Sequence, residues 1–394
     1  MSTELQHSVA VLGLPLANVT ADEAVERIEQ LILSGGSHQV ATANLDFWGN
    51  SLGDVDLHRI LAGCSLVVAD GMPLVWISRL LGKPLKERVS GVDLVPMLAE
   101  LSARKGYGIY LLGGRPDVAA RASETLKQMY PGVNIVGHHA PPVADLERMD
   151  HGDTLERIRA AKPDILLVAF GNPKQEKWIR MHSRRLGVPV SIGIGGSMDI
   201  LIGAVKRAPS WMRRSGLEWL GRTIQEPGRL MPRYARNFGG LAVRLPGALL
   251  AGLLQSPRQS VSEVQRTEDR GVVHLHVRGK LGATVTATID RTVTECVVNG
   301  NLLVVHLKKL TFAGPEGLGA LLDARQRMLA SGLSVTLAGV PLRFRILMSA
   351  WCLEPLFDEF RIPAKGFADA DRTQEVRFAR FSGKDPRIPA ESES

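Results

Sequence analysis

Six short apolar runs recur in the first ~200 residues with room for a helix between neighbours, and this alternation constrains the fold more than any other feature. They are HQVATA (38–43), SLVVAD (65–70), GIYLLGG (108–114), VNIVGHH (133–139), DILLVAFG (164–171) and VSIGIGG (190–196). Each has strand length, and the stretches between them, such as Pro116–Met129 and Pro173–Leu186, carry apolar residues at helical spacing. Strands alternating with helices predict a Rossmann-like α/β fold, a mostly parallel sheet flanked by helices. Ligands in such sheets bind beyond the carboxyl ends of the strands. Asn44, Asp70, Gly113, Gly114, Gly171, Gly195 and Gly196 end these runs and fall where a ligand belongs.

The chain runs well past this unit, and 394 residues suit two domains. Residues 1–204 read as the first α/β core and 205–255 as a basic appendage to it. A polar linker is expected at 256–267, a smaller α/β unit at 268–372 and a disordered tail at 373–394. Within the second unit, strands are expected near 271–278, 302–307 and 334–340, and helices near 316–331 and 342–351. Cys64, Cys296 and Cys352 lie far apart without metal-ligand spacing and read as small buried residues of a reducing compartment. The N-terminus lacks a basic region followed by a sustained apolar run, which predicts a cytoplasmic protein. No apolar run reaches the ~18–20 residues that span a bilayer.

Charge is concentrated. Of the formal +8, +6 falls between Lys206 and Arg236, where eight basic residues outnumber Glu218 and Glu226. Such a patch points to an anionic partner: phosphate, phospholipid or nucleic acid. Arg207, Arg213, Arg214 and Arg222 are interleaved with Trp211, Met212, Leu217, Trp219, Leu220 and Ile224. That mixture suits an anionic membrane surface, with rings at the headgroups and cations against acidic lipid. An amphipathic helix packed on its own domain would explain the pattern without a membrane. No nucleic-acid-binding fold accompanies it, so nucleic acid is not an expected partner.

Thr42-Ala-Asn44, Ala69-Asp70-Gly71, Arg88-Val-Ser-Gly-Val-Asp93, Leu112-Gly-Gly114, Gly171-Asn-Pro-Lys-Gln-Glu176, Gly193-Ile-Gly-Gly196 and Arg207-Ala-Pro-Ser-Trp211 follow one another in this order. Leu217-Glu-Trp219 and Glu226-Pro-Gly-Arg229 close the series. Singly each is weak; as an ordered set they resemble the WecG/TagA/CpsF glycosyltransferases (glycosyltransferase family 26) over about 240 residues. The resemblance implies an inverting, metal-independent and cofactor-free enzyme. It would move an N-acetylmannosamine-type sugar from a UDP-sugar donor to a polyprenyl-diphosphate-linked sugar acceptor in exopolysaccharide or wall-polymer synthesis, peripherally on the inner face of the cell membrane. Ala140-Pro-Pro142 departs from the family's glycine-aromatic turn, which touches substrate details.

Inverting transfer needs a base for the acceptor hydroxyl and positive charge or donors for the departing diphosphate. Asp70, ahead of Gly71, can face a ligand or cap the following helix; the resemblance makes it the base. Thr42 and Asn44 can reach the same crevice, and the resemblance implies contact with the acceptor or with Asp70. The plainer reading of Asn44 is a cap on a helix starting near Leu45. Arg88 either binds the acceptor's phosphate or hydroxyl groups bidentately or forms a surface salt bridge. Gly113 and Gly114 let a backbone approach a phosphate at a helix N-terminus, or mark a turn. In Gly171-Asn-Pro173-Lys174-Gln175 a glycine, a helix-starting proline and two polar residues follow a buried strand. By resemblance Gln175 contacts the substrates, while Lys174 contacts them or is solvated. Gly193, Gly195 and Gly196 read as a close-approach loop for the nucleotide or as tight-turn glycines. The resemblance also brings the appendage arginines, Arg207, Arg214 and Arg222, to the active site. No metal-ligand cluster is expected with these motifs.

Residues 268–372 resemble a STAS domain through Val304-Val-His-Leu307, Thr311-Phe-Ala-Gly-Pro-Glu-Gly-Leu-Gly-Ala-Leu-Leu322, Val335-Thr-Leu-Ala-Gly339 and Trp351-Cys-Leu-Glu-Pro-Leu-Phe357. That resemblance implies an interaction module with a possible protein partner. Gly314, Pro315 and Glu316 stand where phosphorylatable members carry an aspartate and two serines, so no serine switch is expected. The competing reading of the whole chain is a catalytically inactive transferase fold acting as a STAS-type regulatory binding protein.

Overall fold

The structure, a computed structural model, describes residues 8–209, 211–212, 215–253 and 262–357. The chain opens with a hairpin that periodicity does not announce, because all its residues are buried: β1 (Val9–Val11) pairs antiparallel with β2 (Leu14–Leu16). The six expected strands follow as β3 (His38–Ala43), β4 (Leu66–Ala69), β5 (Ile109–Gly113), β6 (Ile135–His139), β7 (Ile165–Ala169) and β8 (Val190–Gly193). They form one parallel sheet in the order β4-β3-β8-β7-β5-β6. The winding moves outward from β3 to β4, then crosses to β5 and β6 and returns through β7 to β8. The carboxyl ends of β3, β4 and β8 therefore meet where the direction reverses, the usual ligand crevice of an open α/β sheet.

Both faces of this sheet are covered, which is why its strands read as continuous apolar runs. On one face Val40, Ile109, Ile165 and Ile192 pack against helices Ala21–Ser34, Gly91–Lys105 and Val118–Met129. On the other, Leu166 and Val168 pack with Trp178 and Ile179 of helix Lys174–Leu186. Burying each such side chain contributes about 1.5–3 kcal/mol.

The second unit contains β9 (Glu263–Asp269), β10 (Val272–Leu281), β11 (Leu302–Ala313) and β12 (Val335–Ala338), ordered β12-β11-β10-β9. β10, β11 and β12 run parallel and β9 is antiparallel. β9 takes in residues 263–267 of the stretch expected to be linker; almost every residue in it is exposed, so it carries no core periodicity. Helix Ala283–Asn299 is not announced by its sequence, being rich in threonine and valine, which disfavour helix. Val285, Ile289, Val293 and Cys296 nonetheless bury one face of it. The tail expected at 373–394 lies outside the described residues.

The two units are not separated. Val9, Val11, Leu14 and Trp48 of the first share one buried cluster with Leu318, Leu322, Trp351 and Phe357 of the second. Helix Pro315–Ala330 lies so close to β1 that a Cβ on Gly319 would fall 1.7 Å from the Ser8 carbonyl oxygen. The Ser8 N–H donates to Asp323 Oδ2 at 2.8 Å, and Glu316 pairs with Lys83. The long helix Pro227–Leu253 joins the contact, packing Leu241, Leu245 and Ala248 into the same cluster.

Candidate active site

Asp70 stands one residue past β4, and its N–H donates to the Ala43 carbonyl at 2.7 Å, which sets it beside Asn44 at the end of β3. The following helix, Met72–Leu80, is capped by Gly71 without any side-chain bond, so Asp70 is not spent as a cap. Burial pushes the Asp70 carboxyl up to about 7; Arg222 and Arg88 pull against this, while Glu218 and Asp93 add to it.

Those four residues form one cluster. Arg88 donates to Glu218 Oε2 at 2.9 Å and to Asp93 Oδ2 at 3.0 Å. Arg207 pairs with Asp93 Oδ1, and Arg222 lies 3.5 Å from Glu218 Oε1. The Ser90 hydroxyl donates to Asp93 Oδ2 as well, at 2.6 Å. Arg207 Nε and Glu218 Oε1 are buried, 3.7 Å apart, without a hydrogen bond. Three guanidinium groups gathered by two carboxylates next to Asp70 make an electropositive wall with donor capacity to spare. Asp93 and Glu218 lay inside the sequence motifs but had no role assigned. Arg214 lies outside the described residues.

Asn44 caps helix Leu45–Ser51, accepting from Asp46 N at 3.0 Å and Phe47 N at 3.4 Å. The Thr42 hydroxyl donates to the Gly193 carbonyl at 2.9 Å and so ties β3 to β8. Gln175 is buried, and its Oε1 accepts from both Gly171 N (3.1 Å) and Gly195 N (3.0 Å). It therefore holds together the loops that end β7 and β8. A Cβ on Gly171, Gly195 or Gly196 would meet nothing within 4 Å, so the backbone there borders open space. Gly193 is the opposite case: its Cβ would lie 2.5 Å from Gln175 Nε2 and 2.6 Å from Glu176 Oε1. Glu176 accepts from Gln175 and Asn172, and burial pushes its carboxyl up to about 7.

Other residues sit further out. Lys174 donates to the Ala144 carbonyl and lies over the Phe170 ring, 5.4 Å from its centroid. Pro173, joined to Asn172 by a cis peptide, precedes the first turn of helix Lys174–Leu186. Gly113 packs under Phe170, where a Cβ would be 2.8 Å from the ring. Gly114 is followed not by a helix but by Arg115-Pro116-Asp117, the helix starting at Val118. An Asp-x-Asp spacing exists at Asp54-Val55-Asp56, away from the motifs. Asp54 there caps helix Val55–Ala62 and pairs with Lys177 at 2.6 Å. Among the described residues no group of three or more His, Cys, Asp or Glu could hold a metal ion.

The appendage turns much of its charge inward. Arg207 and Arg222 join the Asp93–Glu218 cluster, and Arg233 and Arg236 pair with Asp46. Trp219, expected at a membrane interface, instead packs its ring against Tyr234 and Phe238 at 5.3 and 5.0 Å. Trp211, Ile224 and Met231 are exposed. No helix among the described residues is long and apolar enough to cross a membrane.

A family model described as "Glycosyl transferase WecG/TagA/CpsF family" matches residues 9–252, more than half of the chain. The chain belongs to the WecG/TagA/CpsF glycosyltransferase family. Its match takes in the parallel sheet, the Asp70 crevice and the long helix, and a STAS domain model matches residues 263–363. A WecG/TagA/CpsF relative from Bacillus subtilis (strain 168) is 32% identical over 60% of this chain and 90% of its own. One from Staphylococcus aureus (strain MW2) is 30% identical over 56% of this chain and 86% of its own. Both are named N-acetylglucosaminyldiphosphoundecaprenol N-acetyl-beta-D-mannosaminyltransferase. The solved anti-sigma factor antagonist SpoIIAA in its unphosphorylated form aligns with 32% of this chain and all of its own at 15% identity; its TM-score of 0.22 supports no argument.

Proposed function

We propose that this glycosyltransferase moves an N-acetylmannosamine-type sugar from a UDP-sugar to a polyprenyl-diphosphate-linked sugar, with inversion, without a metal ion, and with Asp70 as general base. The observation that carries the reading is a carboxyl group poised at about 7 beside three clustered arginines. A carboxylate balanced near neutrality can take a proton from the acceptor hydroxyl and release it again. The acceptor oxygen attacks the anomeric carbon, the bond from that carbon to the diphosphate oxygen breaks, the proton passes to Asp70, and UDP leaves. Arg88, Arg207 and Arg222 supply positive charge to the departing diphosphate. Gly171, Gly195 and Gly196 give the nucleotide an unobstructed backbone, and Gln175 holds their loops in register. The names of the relatives support the choice of donor and acceptor. The exposed Trp211, Ile224 and Met231 support docking on the anionic inner face of the cell membrane.

The test is a donor panel assayed with polyprenyl-diphosphate N-acetylglucosamine, reading product mass. The expected product is the lipid acceptor heavier by one N-acetylhexosamine, formed only when both substrates are present. UDP release that ignores the acceptor would mark a hydrolase, and absence of product with every donor would leave the inactive regulatory fold.

A further inference from the structure

We infer that Asp46 is a positioning residue: it anchors the long helix Pro227–Leu253 and, through an unbroken run of side-chain hydrogen bonds, sets the two glycine loops that end β7 and β8. Asp46 lies in the first turn of helix Leu45–Ser51, directly after the strand end that carries Asn44, and is 4% exposed. A carboxylate so buried needs strong partners. Three come from the long helix, beyond position 230: Arg233 pairs with Oδ2, Asn237 Nδ2 donates to Oδ1 at 3.1 Å, and Arg236 Nη2 lies 3.6 Å from Oδ1.

Asn50 carries the contact toward the sheet. Its Oδ1 accepts from Arg236 at 2.9 Å, and its Nδ2 reaches both Asp46 Oδ2 at 3.2 Å and Asn172 Oδ1 at 2.7 Å. Asn172 Nδ2 then donates to Glu176 Oε2 at 2.9 Å, and Gln175 Nε2 donates to Glu176 Oε1 at 2.7 Å. Gln175 Oε1 is thereby turned toward Gly171 N and Gly195 N, which it receives at 3.1 and 3.0 Å. Each amide in this chain is fixed by its neighbours. Flipping Asn50 would set its oxygen against Asp46 and Asn172 and its amide group against Arg236, so donors and acceptors are ordered as far as Glu176, whose carboxylate is placed by Asn172 and in turn receives Gln175. Apolar packing of Phe238, Leu241 and Leu245 could hold the helix alone; it would not place the Glu176 carboxylate on which Gln175 rests.

The consequence rests on reading the crevice as the nucleotide site: docking of the helix is felt where the nucleotide binds. The test uses the full chain with Asp46→Asn, which keeps shape and loses charge, and Asp46→Glu, which keeps charge. The readouts are UDP affinity by calorimetry, the split of kcat and donor KM, and hydrogen exchange across 171–176 and 193–196. In Asp46→Asn, UDP binding should weaken by about fivefold or more and exchange should rise in both loops, with partial recovery in Asp46→Glu. UDP affinity within about twofold of wild type, with loop exchange unaltered, overturns the inference even if Tm falls. Should Asp46→Asn fail to fold, Asn50→Leu breaks the relay while leaving Asp46 and its arginines, and unaltered loops in that variant overturn the inference equally. If wild type binds no UDP, the reading of the crevice fails, while loop exchange still decides the role of Asp46.

Discussion

Arg88 and Glu218, 130 residues apart in sequence, meet at 2.9 Å and join the end of the parallel sheet to the appendage. Glu218 raises the Asp70 carboxyl, and Arg88 lowers it. Glu218→Gln removes the first influence and leaves the second, so the Asp70 pKa should fall. The acid limb of the kcat/KM profile should then move to lower pH, since a base works once it has lost its proton. An unmoved acid limb would separate Glu218, or Asp70, from the reaction.

Asp70→Asn keeps shape and hydrogen bonding but cannot take a proton. Transfer should fall by roughly 10²–10⁴-fold while UDP still binds. The same variant carries a stability signature. Because the folded pKa lies above the ordinary value of 3.8, at about 7, the folded protein holds the proton more tightly than the unfolded chain. Ionised Asp70 therefore costs stability progressively as pH rises through that window, and the cost persists above it. Asp70→Asn should raise Tm more at pH 8 than at pH 4, and an equal shift at both would contradict the raised pKa.

Much of this is legible in the sequence, for identifiable reasons. Strands buried on both faces leave contiguous apolar runs, so β3, β4, β5, β7 and β8 stand out to within two or three residues, and the half-buried edge strand β6 follows from its place in the alternation. β1, β2 and β9 do not stand out: the hairpin strands are three residues each, and β9 has almost no buried face. Site residues that end strands could be named because topology puts strand ends at the crevice. Residues whose partners are distant could not. Asp46 meets Asn237 across 191 positions, and nothing local in Asn44-Leu-Asp46 betrays it. For the same reason the basic patch is weaker than its sequence suggests, since Asp46 and Asp93, which receive three of its arginines, lie outside the segment Lys206–Arg236.

That accounting bears on the membrane. With Arg207, Arg222, Arg233 and Arg236 turned to carboxylates, fewer cations remain for lipid than the eight basic residues suggest. Each interfacial cation contributes about 1 kcal/mol near anionic lipid, so binding should lean on apolar insertion as well. Flotation with anionic liposomes should persist partly at high salt and drop in Trp211→Ala, a residue that is 59% exposed. Full release by salt, with no effect of Trp211→Ala, would restore a purely electrostatic anchor.

The arginine cluster also bears on metal dependence. If Arg88, Arg207 and Arg222 meet the leaving diphosphate, chelator should leave transfer within a few-fold of its untreated value. Complete loss restored only by a divalent ion would give the arginines a different task, and Arg222→Ala should separate the two cases by lowering kcat with or without chelator.

The shared core makes the STAS unit part of the transferase's stability. A chain ending near Gln255 would strip cover from Val9, Val11, Leu14, Leu241 and Leu245, each worth about 1.5–3 kcal/mol when fully buried. A milder probe is Gly319→Ala. The added Cβ would lie 1.7 Å from the Ser8 carbonyl oxygen, which is backbone and cannot swing aside, so helix Pro315–Ala330 must move off β1. Overpacking of this kind costs about 1–3 kcal/mol, which for a unit of this size lowers Tm by several degrees. Gly228→Ala is the control, since its Cβ would meet nothing within 4 Å at the start of the long helix. Gly319→Ala should lower Tm and raise hydrogen exchange in β1, while Gly228→Ala does neither. Equal Tm values for the two variants would mean that the units part freely in solution, and the Gln255 truncation should then float and transfer sugar like the full chain.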